Sequence, residues 1–191
     1  MNEILEGSIL RIKINNTDIF LEDLGGNKGK ITISDTYNHN YSYFWGAMGG
    51  TLNEFILSIN SGYFADKLLG CKSNYVFDAR LTFAAIRKFI ASDLNLPWYK
   101  HIEFQKGLRE KINEFQRDVE SADQFVSGWH SFINSIDFYL IEKRYEREEV
   151  EKEFKNISEQ WNFIGERLSP EYLWLEKLHG KLKKHLKTLK P

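Results

Sequence analysis

Four short extended segments follow one another before residue 46, and the turns between them are too short to carry a crossover helix. In residues 8–14, Leu10, Ile12 and Ile14 fall on one side of an extended chain and Arg11 and Lys13 on the other, the two-residue period of a half-buried strand. Asn15-Asn16-Thr17 reads as a turn, Asp18 to Asp23 as a second strand around Ile19-Phe20-Leu21, Gly25 to Gly29 as a loop, and Lys30 to Ser34 as a third strand. After the polar residues Thr36 to Asn40, a fourth strand runs from Tyr41 to Trp45. Strands joined in this way pair antiparallel with their neighbours, so the N-terminal region is expected to be a four-stranded meander.

The period changes after Met48-Gly49-Gly50. Thr51 and Glu54 form a T-x-x-E capping box, in which each side chain satisfies an orphan backbone N–H near the other. Leu52, Phe55, Ile56 and Ile59 then recur at helical spacing, Ser61-Gly62 is expected to end that helix, and Tyr63 to Leu69 forms another short one. Gly70 to Phe77 reads as a loop, and Asp78 as the N-cap of a helix carrying Leu81, Ala85, Ile86, Phe89 and Ile90. Pro97 suits the first turn of a long helix with the stripe Ile102, Leu108, Ile112, Phe115 and Val119. From about residue 121 to 167 the pattern stays helical with a break expected near Gly128, and pairs such as Glu148 with Lys152 and Glu151 with Lys155 suit an exposed helix. Ser169-Pro170 caps a last helix running toward Thr188. The expected class is α+β, a β-meander followed by a mainly helical body with long C-terminal helices. A boundary at Asn95-Leu96-Pro97 would divide the chain into 1–95, meander plus packed helices, and 96–191, a helical region; one continuous domain is the alternative.

Composition narrows the function classes. At 42% hydrophobic and 28% charged the 191-residue chain is neither disordered nor membrane-like, and its apolar runs fall far short of the roughly 20 residues that span a bilayer. The net charge of −1 supplies no global attraction for nucleic acid. A lone cysteine, Cys71, makes no internal disulfide, and the acidic Met1 to Glu6 is unlike a signal peptide, so a soluble, cytoplasmic protein is expected.

Chemical motifs are few. Gly25-Gly26-Asn27-Lys28-Gly29-Lys30 invites a phosphate-loop reading, but Ile31 follows the lysine and a strand follows the loop, so a hairpin is expected. His39, His101, His130, His179 and His185 form no metal-binding spacing, and no metal or cofactor motif is found. His39 lies beside Asp35, Asn38 and Asn40, where an acid–base site and a solvated turn are the two readings. No G-x-S-x-G elbow occurs, and the chain is expected not to be an enzyme. Two regions stand out as candidates for contact with a partner. Lys177, Lys181, Lys183, Lys184, Lys187 and Lys190 share a C-terminal stretch with no acid, opposite an apolar stripe of Leu175, Leu178, Leu182, Leu186 and Leu189. Helix-dipole stabilisation, a phosphate backbone and an acidic protein surface are its three readings. Tyr41, Tyr43 and Trp45 share one strand face, with Phe44 on the other; packing against a helix and stacking of single-stranded bases both produce that pattern, packing being the more usual.

The run Gly-Lys-Ile-Thr-Ile-Ser-Asp from Gly29, then Tyr-Ser-Tyr-Phe-Trp-Gly-Ala-Met-Gly from Tyr41, then Glu54-Phe55 and Tyr63 to Leu68, resembles small proteins of bacteriophages and prophages. The resemblance implies a phage or mobile-element accessory gene in a bacterium. It also implies a class of action, occupying a host protein, with inhibitors of defence nucleases (anti-CRISPR-like proteins) as the leading example. The expected partners are a host protein such as a nuclease or its RNA complex, or, alternatively, single-stranded nucleic acid held by the C-terminal lysines.

Overall fold

In a computed structural model, residues 8–37, 39–92, 101–157 and 160–189 are described. The fold is α+β, and its contacts divide the chain into two compact units, Met1–Asn74 with Leu168–Pro191 and, inserted between them, Tyr75–Arg167. The boundary expected at Asn95-Leu96-Pro97 and the first-turn role of Pro97 fall outside the described residues.

The first unit opens with an antiparallel sheet in strict sequence order: β1 (Ser8–Ile14), β2 (Thr17–Gly25), β3 (Lys28–Asp35) and β4 (Asn40–Trp45). Register follows from the pleat. Ile12 faces Ile19, which faces Ile33, which faces Tyr41, so one row of alternate residues turns wholly inward. Gly26 and Asn27, with φ of 55° and 62°, make the tight β2–β3 turn, and the glycine-lysine run is a hairpin. Beyond β4 the capping box forms as expected, with Thr51 Oγ1 accepting from the Glu54 N–H at 3.3 Å, and starts α1 (Leu52–Ser58). Ser61 begins the next helix rather than ending α1, because the Asn60 side chain accepts from the Tyr63 N–H at 2.7 Å and caps α2 (Ser61–Leu69). The chain returns to this unit in α7 (Pro170–Thr188), capped by Ser169, which lies against α1 and α2. Leu175, Leu178, Leu182 and Leu186 join the sheet's inner face in one core, while Leu189 is exposed.

In the second unit, β5 (Tyr75–Phe77) occupies part of the stretch expected to be loop, because it pairs with β6 (Glu166–Leu168), a partner remote in sequence. Asp78 accepts from the Leu81 N–H at 3.0 Å at the start of α3 (Ala79–Ser92), the capping role expected of it. The helices α4 (Ile102–Asp118), α5 (Ala122–Asn134) and α6 (Arg144–Lys155) follow, with 3-10 turns at Phe138–Leu140 and Gln160–Phe163. No break occurs at Gly128. The helix runs through it because the Phe115 ring packs on that spot, where a Cβ would meet Phe115 Cε2 at 2.7 Å. On α6 Lys155 pairs with Glu151 as expected, whereas Glu148 is taken by Arg144 at 2.7 Å. No helix among the described residues is long and apolar enough to cross a membrane.

Candidate functional site

Among the described residues, the lysines of this helix divide into two roles. Heptad geometry sets Leu175, Leu178, Leu182 and Leu186 inward, which places Lys177, Lys181 and Lys184 along the opposite side at three- and four-residue steps. These three and Lys187 are exposed, and among the described residues none of them has an acidic partner. Lys183 is different: it is partly buried and its Nζ donates to the Ile59 carbonyl at the C-terminal end of α1. It satisfies an orphan helix carbonyl and is committed within the chain. Lys190 lies outside the described residues.

Beside Lys183, one turn earlier, His179 is wholly buried and stacks on Phe64 with centroids 4.4 Å apart. Its ring nitrogens lie 3.0 Å from the Ile56 carbonyl and 3.0 Å from Ser61 Oγ. A neutral ring donating to the carbonyl and accepting from the hydroxyl satisfies both. Burial, with a smaller contribution from the Lys183 charge, brings its pKa down to about 4, although the Ile56 bond works the other way. His179 and Lys183 thus fasten the α1–α2 corner to α7 from successive turns.

The aromatic strand faces inward. Tyr41 and Trp45 are 6% and 4% exposed within the core, and Tyr43 is half-buried, with its ring 4.9 Å from Trp45. Trp45 in turn meets Phe55 of α1 edge-on, and its indole N–H has no hydrogen-bond partner among the described residues. Phe44, on the other face, is 51% exposed.

At the far end of β3 the Asp35–His39 pair forms as a real contact, His39 Nδ1 to Asp35 Oδ2 at 2.8 Å, while the other Asp35 oxygen accepts from the Tyr37 and His39 N–H groups. Burial raises the Asp35 carboxyl, but the His39 ring, these two backbone donors and the His39 charge outweigh it and hold the group below its ordinary value. Three residues with no local sequence signal complete the cluster. Trp174 lies 5.7 Å from the His39 ring and 5.9 Å from Tyr41, Glu171 accepts from the Tyr41 hydroxyl, and Lys72 pairs with Glu171 at 3.2 Å. Burial, then the Glu171 charge and hydrogen bond, then the Asp35 charge, push the Tyr41 phenol up to about 12. An Asp-oriented imidazole is acid–base hardware, and here its neighbours are rings and a closed Tyr–Glu–Lys chain that ties the β3–β4 turn to α7.

The second unit holds a groove of about 410 Å³ between α4 and α5, with Phe115 and Phe132 at its base, Glu114 and Asp118 on one wall, and Ser127 and Ser131 on the other. Among the described residues no group of three or more His, Cys, Asp and Glu side chains is placed to hold a metal ion.

No curated protein and no solved structure matches this chain. A family model described as a phage family does, over residues 3–188, nearly the whole length. The chain belongs to this phage family.

Proposed function

We propose that the protein is a non-catalytic phage accessory protein that works in the bacterial cytoplasm by binding a host protein through the outer face of α7, with a host defence nuclease as the class of target. The observation that carries this is the row of exposed, unpaired lysines. Lys177 with Lys181, and Lys181 with Lys184, are like-charge neighbours one turn apart, each pair costing about 0.2–0.5 kcal/mol. The helix dipole offsets such a cost only in the last turn, which favours Lys187 and leaves Lys177 and Lys181 without compensation. An acidic surface on a partner supplies it. Family membership provides the setting in which small proteins act on host machinery.

The second reading is single-stranded nucleic acid on the same lysines. The protein reading is preferred because the exposed lysines from Lys177 to Lys187 span only about 15 Å of one helix, on a chain of net charge −1. A tagged protein, and a K177E/K181E/K184E variant, would be used to capture partners from host lysate, with nuclease activity of the captured protein assayed. The expected result is a stoichiometric, inhibited nuclease with wild type and none with the variant. Capture of no protein, together with RNA oligonucleotide binding whose affinity falls with salt at a log–log slope near −3, would establish the second reading instead.

A further inference from the structure

Four glycines lie inside helices of the described structure, and two have a packing reason. A Cβ at Gly62 would crowd the Tyr172 hydroxyl at 3.0 Å and at Gly128 the Phe115 ring at 2.7 Å, while at Gly107 it would make ordinary contact with Leu140 at 3.5 Å. Gly180, in the middle of α7, faces open space: a Cβ there meets nothing within 4 Å, and its φ is not positive. Glycine is the poorest helix former after proline, because it loses the most backbone freedom, so at this position it costs stability with no return inside the chain.

Its position on the helix gives the return. Gly180 is one heptad after Leu173, a large apolar side chain left 37% exposed, and one heptad before Lys187. Lys177 and Lys184, three residues before and four after, stand beside it on the outer face. The result is a bare strip of backbone edged by unpaired ammonium groups. Resting on the reading that α7 binds a host protein, we propose that the partner presents an acidic helix that crosses α7 at Gly180, its backbone seated where the Cβ is missing and its carboxylates on Lys177, Lys184 and Lys187. Helix axes normally pack about 8–10 Å apart according to the side chains between them, and a glycine at the crossing point lets them come closer. Charge complementarity sets the chemistry of the partner, and Leu173 supplies the apolar contact. A phosphate strand would not use this feature, since it would sit at the lysine tips, clear of the backbone.

The test uses the full chain and a synthetic helical probe of about 20 residues, with an alanine seam flanked by glutamates, followed by fluorescence anisotropy. Wild type is expected to bind the probe, Gly180→Ala to bind it more weakly, and Gly180→Leu to lose about tenfold or more. Thermal melts would show both variants folded, with Gly180→Ala raised by about 2 °C. Wild type failing to bind, or Gly180→Leu binding as wild type does, overturns the crossing. If Gly180→Leu is neutral while K177E/K181E/K184E abolishes binding, the lysine face stands and only the crossing falls. If both variants bind as wild type, the lysine face falls as well. Binding of a single-stranded RNA 12-mer that is indifferent to Gly180→Leu, with no probe binding, assigns the face to nucleic acid and also overturns the proposal.

Discussion

The two units bury their residues by different means. The first stacks the β-branched and aliphatic side chains of a sheet, Ile12, Ile19, Ile31 and Ile33, under helices, and fastens the corner with buried polar groups, His179 above all. The second is built from rings: Phe83, Phe104, Phe125, Trp129, Phe132 and Phe138 form one cluster, with Phe115 and Phe132 stacked at 5.0 Å and 11°. A sheet face is filled at every second residue as the pleat dictates, whereas interlocked rings depend on the shape and tilt of each. A buried neutral imidazole depends on pH instead. The first unit is therefore expected to be sensitive to proton activity, and the second to shape.

The sharpest separation comes from Trp129, which is 1% exposed and contacts Phe125, Phe132 and Phe163. Trp129→Ala is expected to cost about 4 kcal/mol, through lost transfer energy and the cavity left behind. Hydrogen exchange read peptide by peptide would show protection lost across Tyr75–Arg167 and kept in the sheet. Equal loss in both would break the comparison. Next in size is the pH effect. His179 has a folded pKa of about 4 against 6.5 in a model peptide, so between those values the unfolded chain binds more protons than the folded one. Stability of the first unit is fully present above pH 6.5 and is lost as pH falls toward 4, by on the order of 3 kcal/mol. His179→Gln, which keeps a donor and an acceptor but cannot charge, should flatten exchange protection of that unit over this window. An unchanged slope would remove His179 as its source.

These differences also explain how much could be read from the residues alone. The meander, the Thr51 and Ser169 caps and the leucine face of α7 rest on local period and local hydrogen bonds, and they stand where the pattern put them. What went unread depends on pairing at a distance. β5 meets β6 across the whole of the second unit, and nothing near Tyr75 announces a strand. Gly128 looked like a break because the ring that fills its place, Phe115, lies on another helix. At the candidate site the lysines were legible, but their division was not. Lys183 differs from Lys184 only in pointing at the Ile59 carbonyl, which depends on where α1 ends relative to α7. The Asp35–His39 contact follows from a short turn, while Trp174, Glu171 and Lys72 reach it through tertiary packing.

Gly128 gives the third prediction. Gly128→Ala would raise local helix propensity, yet must displace the Phe115 ring that stacks on Phe132 and Phe125. Overpacking is expected to win, costing about 1–3 kcal/mol against a propensity gain of about 1 kcal/mol. A double change, Gly128→Ala with Phe115→Leu, should recover part of the loss if the ring is the cause. The contrast with Gly180→Ala, where propensity acts unopposed, makes the sign of each thermal shift the readout.

The smallest effect tests the first unit on its own terms. Thr51 Oγ1 accepts from the Glu54 N–H while the Glu54 carboxylate accepts from the Thr51 N–H at 3.1 Å. Thr51→Ala removes one half of that exchange and should cost about 1 kcal/mol. The box starts α1, a helix of only seven residues whose Leu52 and Ile56 seal the sheet, and whose last carbonyls are already held by His179 and Lys183. With both ends fastened, the cost of losing one cap is expected to grow as the other is weakened. Thr51→Ala measured at pH 5, between the folded and unfolded His179 values, where proton uptake on opening favours release of the His179 end, should therefore destabilise α1 more than at pH 7.5. Amide exchange of residues 52–58 at the two pH values, corrected for intrinsic rates, checks it: equal losses would mean that the two ends act independently.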